Sequence, residues 1–193
     1  MGKFRKYLLV SFSVLTIAGS SLAVAKRQDI TDWLILRNYT PSSEILALSE
    51  RTTMSELGKK LFFVYDPQLL DKEGFNAQCV EGEQSIVLGC YDGQGIYLYA
   101  ITEAQLAGVE EVTSAHEMLH AAYARLSGGE KEEIDALVAR AVEEGANDRI
   151  KNLIESYRVR EPESLTNEMH SIVGTEMRDL PVELEQYYSR YFL

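Results

Sequence analysis

Val112-Thr113-Ser114-Ala115-His116-Glu117-Met118-Leu119-His120-Ala121-Ala122-Tyr123 is the stretch on which the reading of this chain turns. Its apolar spacing is helical, and small residues flank the two histidines, where a helix must pack closely. Residues i and i+4 of an α-helix stand one turn apart on one face. His116 and His120 can therefore offer two imidazoles to one metal ion, with Glu117 beside them. Neutral imidazoles hold a divalent cation without cancelling its charge, and an adjacent carboxylate can accept a proton from water. The chain has only three histidines, and this stretch uses two of them. The bland account is two unrelated histidines on an ordinary amphipathic helix.

Upstream of this helix the signals are mostly β. Leu61-Phe62-Phe63-Val64-Tyr65 is rich in β-formers and is stopped by Asp66-Pro67; Ser85-Ile86-Val87-Leu88 and Ile96-Tyr97-Leu98-Tyr99-Ala100-Ile101 read as two further strands. Asp92-Gly93-Gln94-Gly95 between the last two suits a hairpin connection. Still earlier, Pro41-Ser42-Ser43-Glu44 resembles a helix start, followed by Ile45, Leu46, Leu48, Met54 and Leu57 at roughly helical spacing. Downstream the pattern is helical to the end. That stretch belongs to a helix from Val109 to Leu126, broken by Ser127-Gly128-Gly129. Glu130–Glu144 is amphipathic, with Ile134, Leu137, Val138 and Ala141 inward. Asn147-Asp148 starts a helix that ends before Glu161-Pro162, and Pro162 and Pro181 suit the first turns of two final helices. Strands early and helices late make the expected class α+β, a short antiparallel sheet followed by a helical C-terminal half.

The chain has 193 residues, 46% of them hydrophobic and 25% charged, which suits a folded domain and excludes a disordered or low-complexity one. Lys3, Arg5 and Lys6 precede an uncharged run from Tyr7 to Ala25, and Ala23-Val24-Ala25 fits a signal-peptidase site. Residues 1–25 are thus expected to be a cleaved signal peptide or an N-terminal membrane anchor, with 26–193 as the domain outside the cytoplasm. Any membrane contact is expected through that N-terminal segment alone. Residues 1–25 hold three basic side chains and no acidic one, so without them the formal charge of −11 becomes −14. Such a surface argues against a nucleic-acid partner. Export also puts Cys79 and Cys90 in an oxidising compartment, where a disulfide is the expectation; a zinc pair is the alternative, without the C-x-x-C spacing of a zinc knuckle.

His116-Glu117-Met118-Leu119-His120 is the H-E-x-x-H pattern, and with a strand just upstream the chain resembles the zincin metallopeptidases. That resemblance implies a zinc-dependent peptidase with a peptide or protein substrate. It implies Zn²⁺ on His116 and His120, Glu117 as general base, and an upstream edge strand that holds extended substrate. The metzincin extension is absent, since Tyr123 and Leu126 occupy its Gly and third His positions. Asn167-Glu168 instead looks like the Asn-Glu of the thermolysin-like gluzincins, in which the Glu is the third ligand. The acidic residue four positions later in that group is Ile172 here, and the gap from His120 is longer than in thermolysin. HEMLHAAYARL, NEMHSIVGTE and LPVELEQYYSRYF also resemble a group of exported bacterial proteins over most of residues 55–193.

The third ligand stays open among Glu168, Glu176 and His170, with Glu176 and His170 otherwise expected to support a ligating imidazole. His170 lies two residues from Glu168, nearly opposite on a straight helix, and is either a satisfied core histidine or part of the cleft if the helix bends; Glu176 lies two turns on, with an exposed or capping carboxylate as the alternative. Glu168 shares a face with Ile172 and Thr175 and should point inward, where an unpaired carboxylate is costly. The alternative function is a non-catalytic exported binding module that keeps a zincin-like fold.

Overall fold

The computed structural model describes residues 26–79 and 88–193 and divides into two compact units, Met1–Thr40 and Pro41–Leu193. In the first, the described part is one helix, α1 (Arg27–Leu36), and its flanks. The second is α+β, with a three-stranded sheet and a helical C-terminal half.

The second unit begins with α2 (Ser43–Arg51) and α3 (Glu56–Val64), each opened by a serine whose side chain accepts a backbone N–H: Ser42 from Ile45 and Ser55 from Gly58. The expected single run from Ile45 to Leu57 is therefore two helices. Thr53 takes a positive φ of 53°, and Met54 bridges to Phe192, which turns the chain between them. Leu61–Tyr65, expected as a strand, lies almost wholly in α3. The Ser55 cap starts a helix there, and Leu61, Phe62 and Val64 are buried on its inner side. Packing of that face overrides the β-preference of Phe and Val.

Next come β1 (Gln68–Leu70), α4 (Lys72–Gln78), β2 (Gly89–Tyr91) and β3 (Ile96–Tyr99). The sheet order is β1-β3-β2, with β1 parallel and β2 antiparallel to β3. The sheet is thus mixed rather than antiparallel, because β1 and the crossover α4 were not legible in so short a segment. Of the strand expected at Ser85–Leu88, residues 85–87 lie outside the described residues; Leu88 accepts a hydrogen bond from the Tyr99 N–H (2.9 Å), and the paired register runs from Gly89. The hairpin turn is as expected: Asp92 Oδ1 accepts from the N–H groups of Gln94 (2.8 Å) and Gly95 (2.7 Å), and Gly93 supplies a φ of 88°.

The helical half comprises α5 (Val109–Ala124), α6 (Gly128–Gly145), α7 (Asp148–Arg160), α8 (Leu165–Glu176) and α9 (Val182–Tyr188). Ser127 and Glu130 close a capping box on α6, and Asn147 caps α7. Pro162 falls in the turn before α8 rather than in its first turn, and Pro181 stands one position before the first residue of α9. Helix α5 is central. Its Met118, Leu119, Ala121 and Ala122 are almost wholly buried, and β2, β3, α2, α3 and α8 all pack on it. The approach of α8 depends on Gly174: a Cβ there would meet Tyr188 Cε1 at 2.6 Å and Leu119 Cδ1 at 2.7 Å. This close approach brings the first turn of α8 to the histidines of α5.

Cys79 and Cys90 form a disulfide with Cα atoms 6.0 Å apart, joining the end of α4 to β2. A loop closed over a sequence separation of 11 should contribute about 3 kcal/mol on the chain-entropy model. Thiol titration of the unfolded, unreduced chain should find no free cysteine, and reduction should lower the denaturation midpoint by a corresponding amount.

Candidate metal centre

The helical repeat places the rings of His116 and His120 on one side of α5, with centroids 4.7 Å apart and planes at 80°. Glu168, in the first turn of α8, reaches between them. One carboxylate oxygen is 3.5 Å from His116 Nε2 and the other 3.5 Å from His120 Nε2. One ligand atom from each of the three residues lies within 4.8 Å of the others. These spacings are long for hydrogen bonds, which prefer 2.7–3.2 Å. They match the edge of a tetrahedron around zinc, where ligands about 2.0–2.1 Å from the ion stand about 3.4 Å from one another.

Satisfaction of the polar atoms points the same way. Glu168 Oε2 is buried and has no hydrogen-bond partner among the described residues, a costly condition for a carboxylate that a cation would relieve. The far side of His120 is held: its Nδ1 lies 3.3 Å from the hydroxyl of Ser171, one turn along α8 from Glu168. A hydrogen bond at Nδ1 orients the ring and leaves Nε2 facing the carboxylate. Two imidazoles and one carboxylate are a donor set that suits zinc with an open fourth position.

Electrostatics divide the group unequally. Burial pulls down the pKa of His116, but the carboxylates of Glu168 and Glu117 outweigh it and raise the value. Burial, reinforced by the charge of His116, lowers His120 to about 4. Burial acts to raise Glu168, yet its two imidazole neighbours hold it below the ordinary carboxylate value. Glu117 is pushed up to about 7, first by burial and then by the charge of Glu168, with His116 opposing.

Glu117 is 5% exposed and has no hydrogen-bond partner among the described residues. Its neighbour across the cleft is Gly89, where a Cβ would lie 2.8 Å from Glu117 Oε1 and 2.5 Å from Thr113 Cγ2. The bare backbone of β2 thus roofs the carboxylate. A cleft of about 270 Å³ opens here, walled by Gly89, Tyr91, His116, Glu117, Tyr157 and Glu168. A second cavity of about 260 Å³ shares Gly89, His116, Glu117 and Tyr157.

The other sequence candidates are placed elsewhere. His170 is fully buried among Tyr123, Tyr187 and Tyr188, with its Nε2 2.9 Å from the Tyr187 hydroxyl. Burial, with the charges of the other two imidazoles, drives its pKa to about 3, so it is a neutral core histidine. Glu176 pairs with Arg149 at 2.5 Å; its charge helps to raise His116, but it hydrogen-bonds neither imidazole. Tyr123 is tied to the Asp135 carboxylate at 2.9 Å. Sequence reasoning missed Ser171, Tyr157 and Gly89, the last brought over Glu117 only by the packing of β2. Ser171 could have been found as the position one turn after Glu168. Tyr157 had no sequence signal, because only the packing of α7 brings its phenol to the cleft.

No protein-family model, curated protein or solved structure matches the chain.

Proposed function

We propose that the chain is a zinc-dependent peptidase acting outside the cytoplasm on peptides or proteins. The observation that carries this reading is Glu168, set 3.5 Å from the Nε2 atoms of both His116 and His120 with one oxygen otherwise unpartnered. His116, His120 and Glu168 would hold the metal. Zinc bound there would supply Lewis-acid polarisation of a water and of a scissile carbonyl.

The chain's own groups have distinct tasks. Glu117, next to a ligating histidine but not in the ligand set, would accept the proton of the attacking water and pass it to the leaving amine. Burial and the roof of β2 keep that carboxylate in one place. The strand at the edge of the cleft is β2, since β3 lies in the middle of the sheet. An extended peptide would therefore lie along β2 rather than along Ile96–Ile101. Tyr157 offers a phenol on the facing wall, able to donate to a substrate carbonyl. The disulfide suits an oxidising compartment, which supports export.

The test is metal analysis of the purified chain followed by digestion of a peptide library with and without chelator. Stoichiometric zinc with chelator-sensitive cleavage is the expected result; metal without cleavage would favour the binding module. Gly89→Ala offers a check on the roof. Its methyl must displace Glu117 or Thr113, so turnover should fall by about 10-fold or more while zinc affinity stays the same. Unchanged turnover would mean that Gly89 does not hold the base.

A further inference from the structure

Helix α1 distributes its side chains the wrong way round for a helix in water. Its one buried residue is Asp32, 1% exposed, whereas Ile30, Trp33, Leu34 and Ile35 are 41–61% exposed. Ile30, Trp33 and Leu34 stand at i, i+3 and i+4, so they form one continuous face. A water-facing helix normally turns such a stripe inward and its carboxylates outward. Here the carboxylates are engaged: Asp29 pairs with Lys26 at 3.2 Å, and Asp32 accepts from Gln28 at 3.2 Å. An exposed cluster of large apolar side chains marks a surface that meets something other than water.

Two observations identify what it meets. The first is position: α1 starts two residues after the uncharged run Tyr7–Ala25, whose 19 residues are about what a helix needs to cross a hydrocarbon core. Where such a run crosses a membrane, the chain leaving it is at headgroup level. The second is chemistry. The Arg37 guanidinium lies 5.3 Å from the centroid of the Trp33 ring, and Lys26 and Arg27 stand at the other end of the helix. Tryptophan with flanking basic side chains is the composition of the membrane interface. Elsewhere the chain is strongly acidic and would be repelled by anionic lipid, so the basic ends of α1 are a local exception. Ten residues cannot span a bilayer, but they can lie in its surface.

We infer that α1 lies in the membrane–water interface, with Ile30, Trp33 and Leu34 among the upper acyl chains and Arg27 and Arg37 at the lipid phosphates. This placement is independent of the peptidase reading.

Trp33 is the only tryptophan of the chain, so its fluorescence reports on α1 alone. The full chain would be reconstituted into vesicles of phosphatidylethanolamine and phosphatidylglycerol, with matched vesicles carrying bromine near the start of the acyl chains. Trp33 should emit at shorter wavelength than in water. It should lose about half or more of its emission to bromine, because an interfacial helix sits ~5–10 Å into the headgroup–acyl boundary. Emission typical of water, quenched by acrylamide and not by bromine, would overturn the inference. So would a blue shift without bromine quenching, which would mean that protein covers the face. The double substitution Ile30→Ser and Leu34→Ser changes only exposed positions and should abolish the bromine effect. Quenching that persists in that variant would show that the apolar face is not what seats the helix, and would equally overturn it.

Discussion

Glu117→Gln should leave zinc bound and reduce peptide cleavage by at least ~10²-fold, the usual scale of a lost proton-transfer partner. The substitution keeps the shape of the side chain, and the carboxylate has no hydrogen-bond partner to lose among the described residues. Among the described residues no hydrogen bond ties it to either imidazole or to Glu168, so metal affinity should stay close to that of the parent chain. The same variant removes a carboxylate whose pKa burial holds near 7, and a neutral amide in that place should fold at least as well as the parent. Equilibrium dialysis for zinc, thermal melts and initial rates on a cleaved peptide separate these effects. Full turnover in the variant would remove the base assignment, and metal binding without turnover in the parent chain would favour the binding module.

Glu168→Ala should cost more zinc affinity than the ~10–100-fold typical of residues that merely support a ligand. The effect should be larger than that of Glu176→Ala, and His170→Ala should change affinity least. The reason is the placement of each group: Glu168 lies 3.5 Å from both Nε2 atoms, Glu176 is engaged by Arg149, and His170 faces a tyrosine cluster. Stability gives a second readout. Without metal, Glu168→Ala sheds a buried oxygen that lacks a hydrogen bond but also the charge that pairs with His116, so its melting temperature should change little. With zinc, the parent chain should gain stability by mass action and the variant should gain far less. His170→Ala should do the reverse, melting lower by about 2 kcal/mol or more for the cavity and the broken Tyr187 hydrogen bond. If His170→Ala cost the most zinc affinity instead, the site would be built from three histidines.

The errors of sequence reading have a common physical origin. Leu61–Tyr65 carries β-forming side chains, yet a serine cap six residues earlier and a core that needs Leu61, Phe62 and Val64 on one side make it helical. The three-residue strand β1 is too short to show a period, and it exists because β3 offers it a paired edge. In both cases partners distant in sequence overrode or created the local preference. Elements whose signals are local were legible: the Asp92 turn, the Ser127 capping box and the Asn147 cap are each satisfied within a few residues.

The same division runs through the candidate site. The sequence by itself determined that His116 and His120 share one face with Glu117 alongside, because the α-helical repeat makes residues four apart neighbours. It also determined that Glu168 and His170 point different ways from one helix. Only the tertiary structure decided which downstream side chain comes to the imidazoles. That outcome depends on how α8 lies against α5, which Gly174 permits by leaving room for Leu119 and Tyr188. It also depends on His170 being absorbed by tyrosines of α5 and α9. The roof over Glu117 and the phenol of Tyr157 come from β2 and α7, brought there by packing. Side-chain spacing along one helix is a property of the backbone; convergence between helices is a property of the core that joins them.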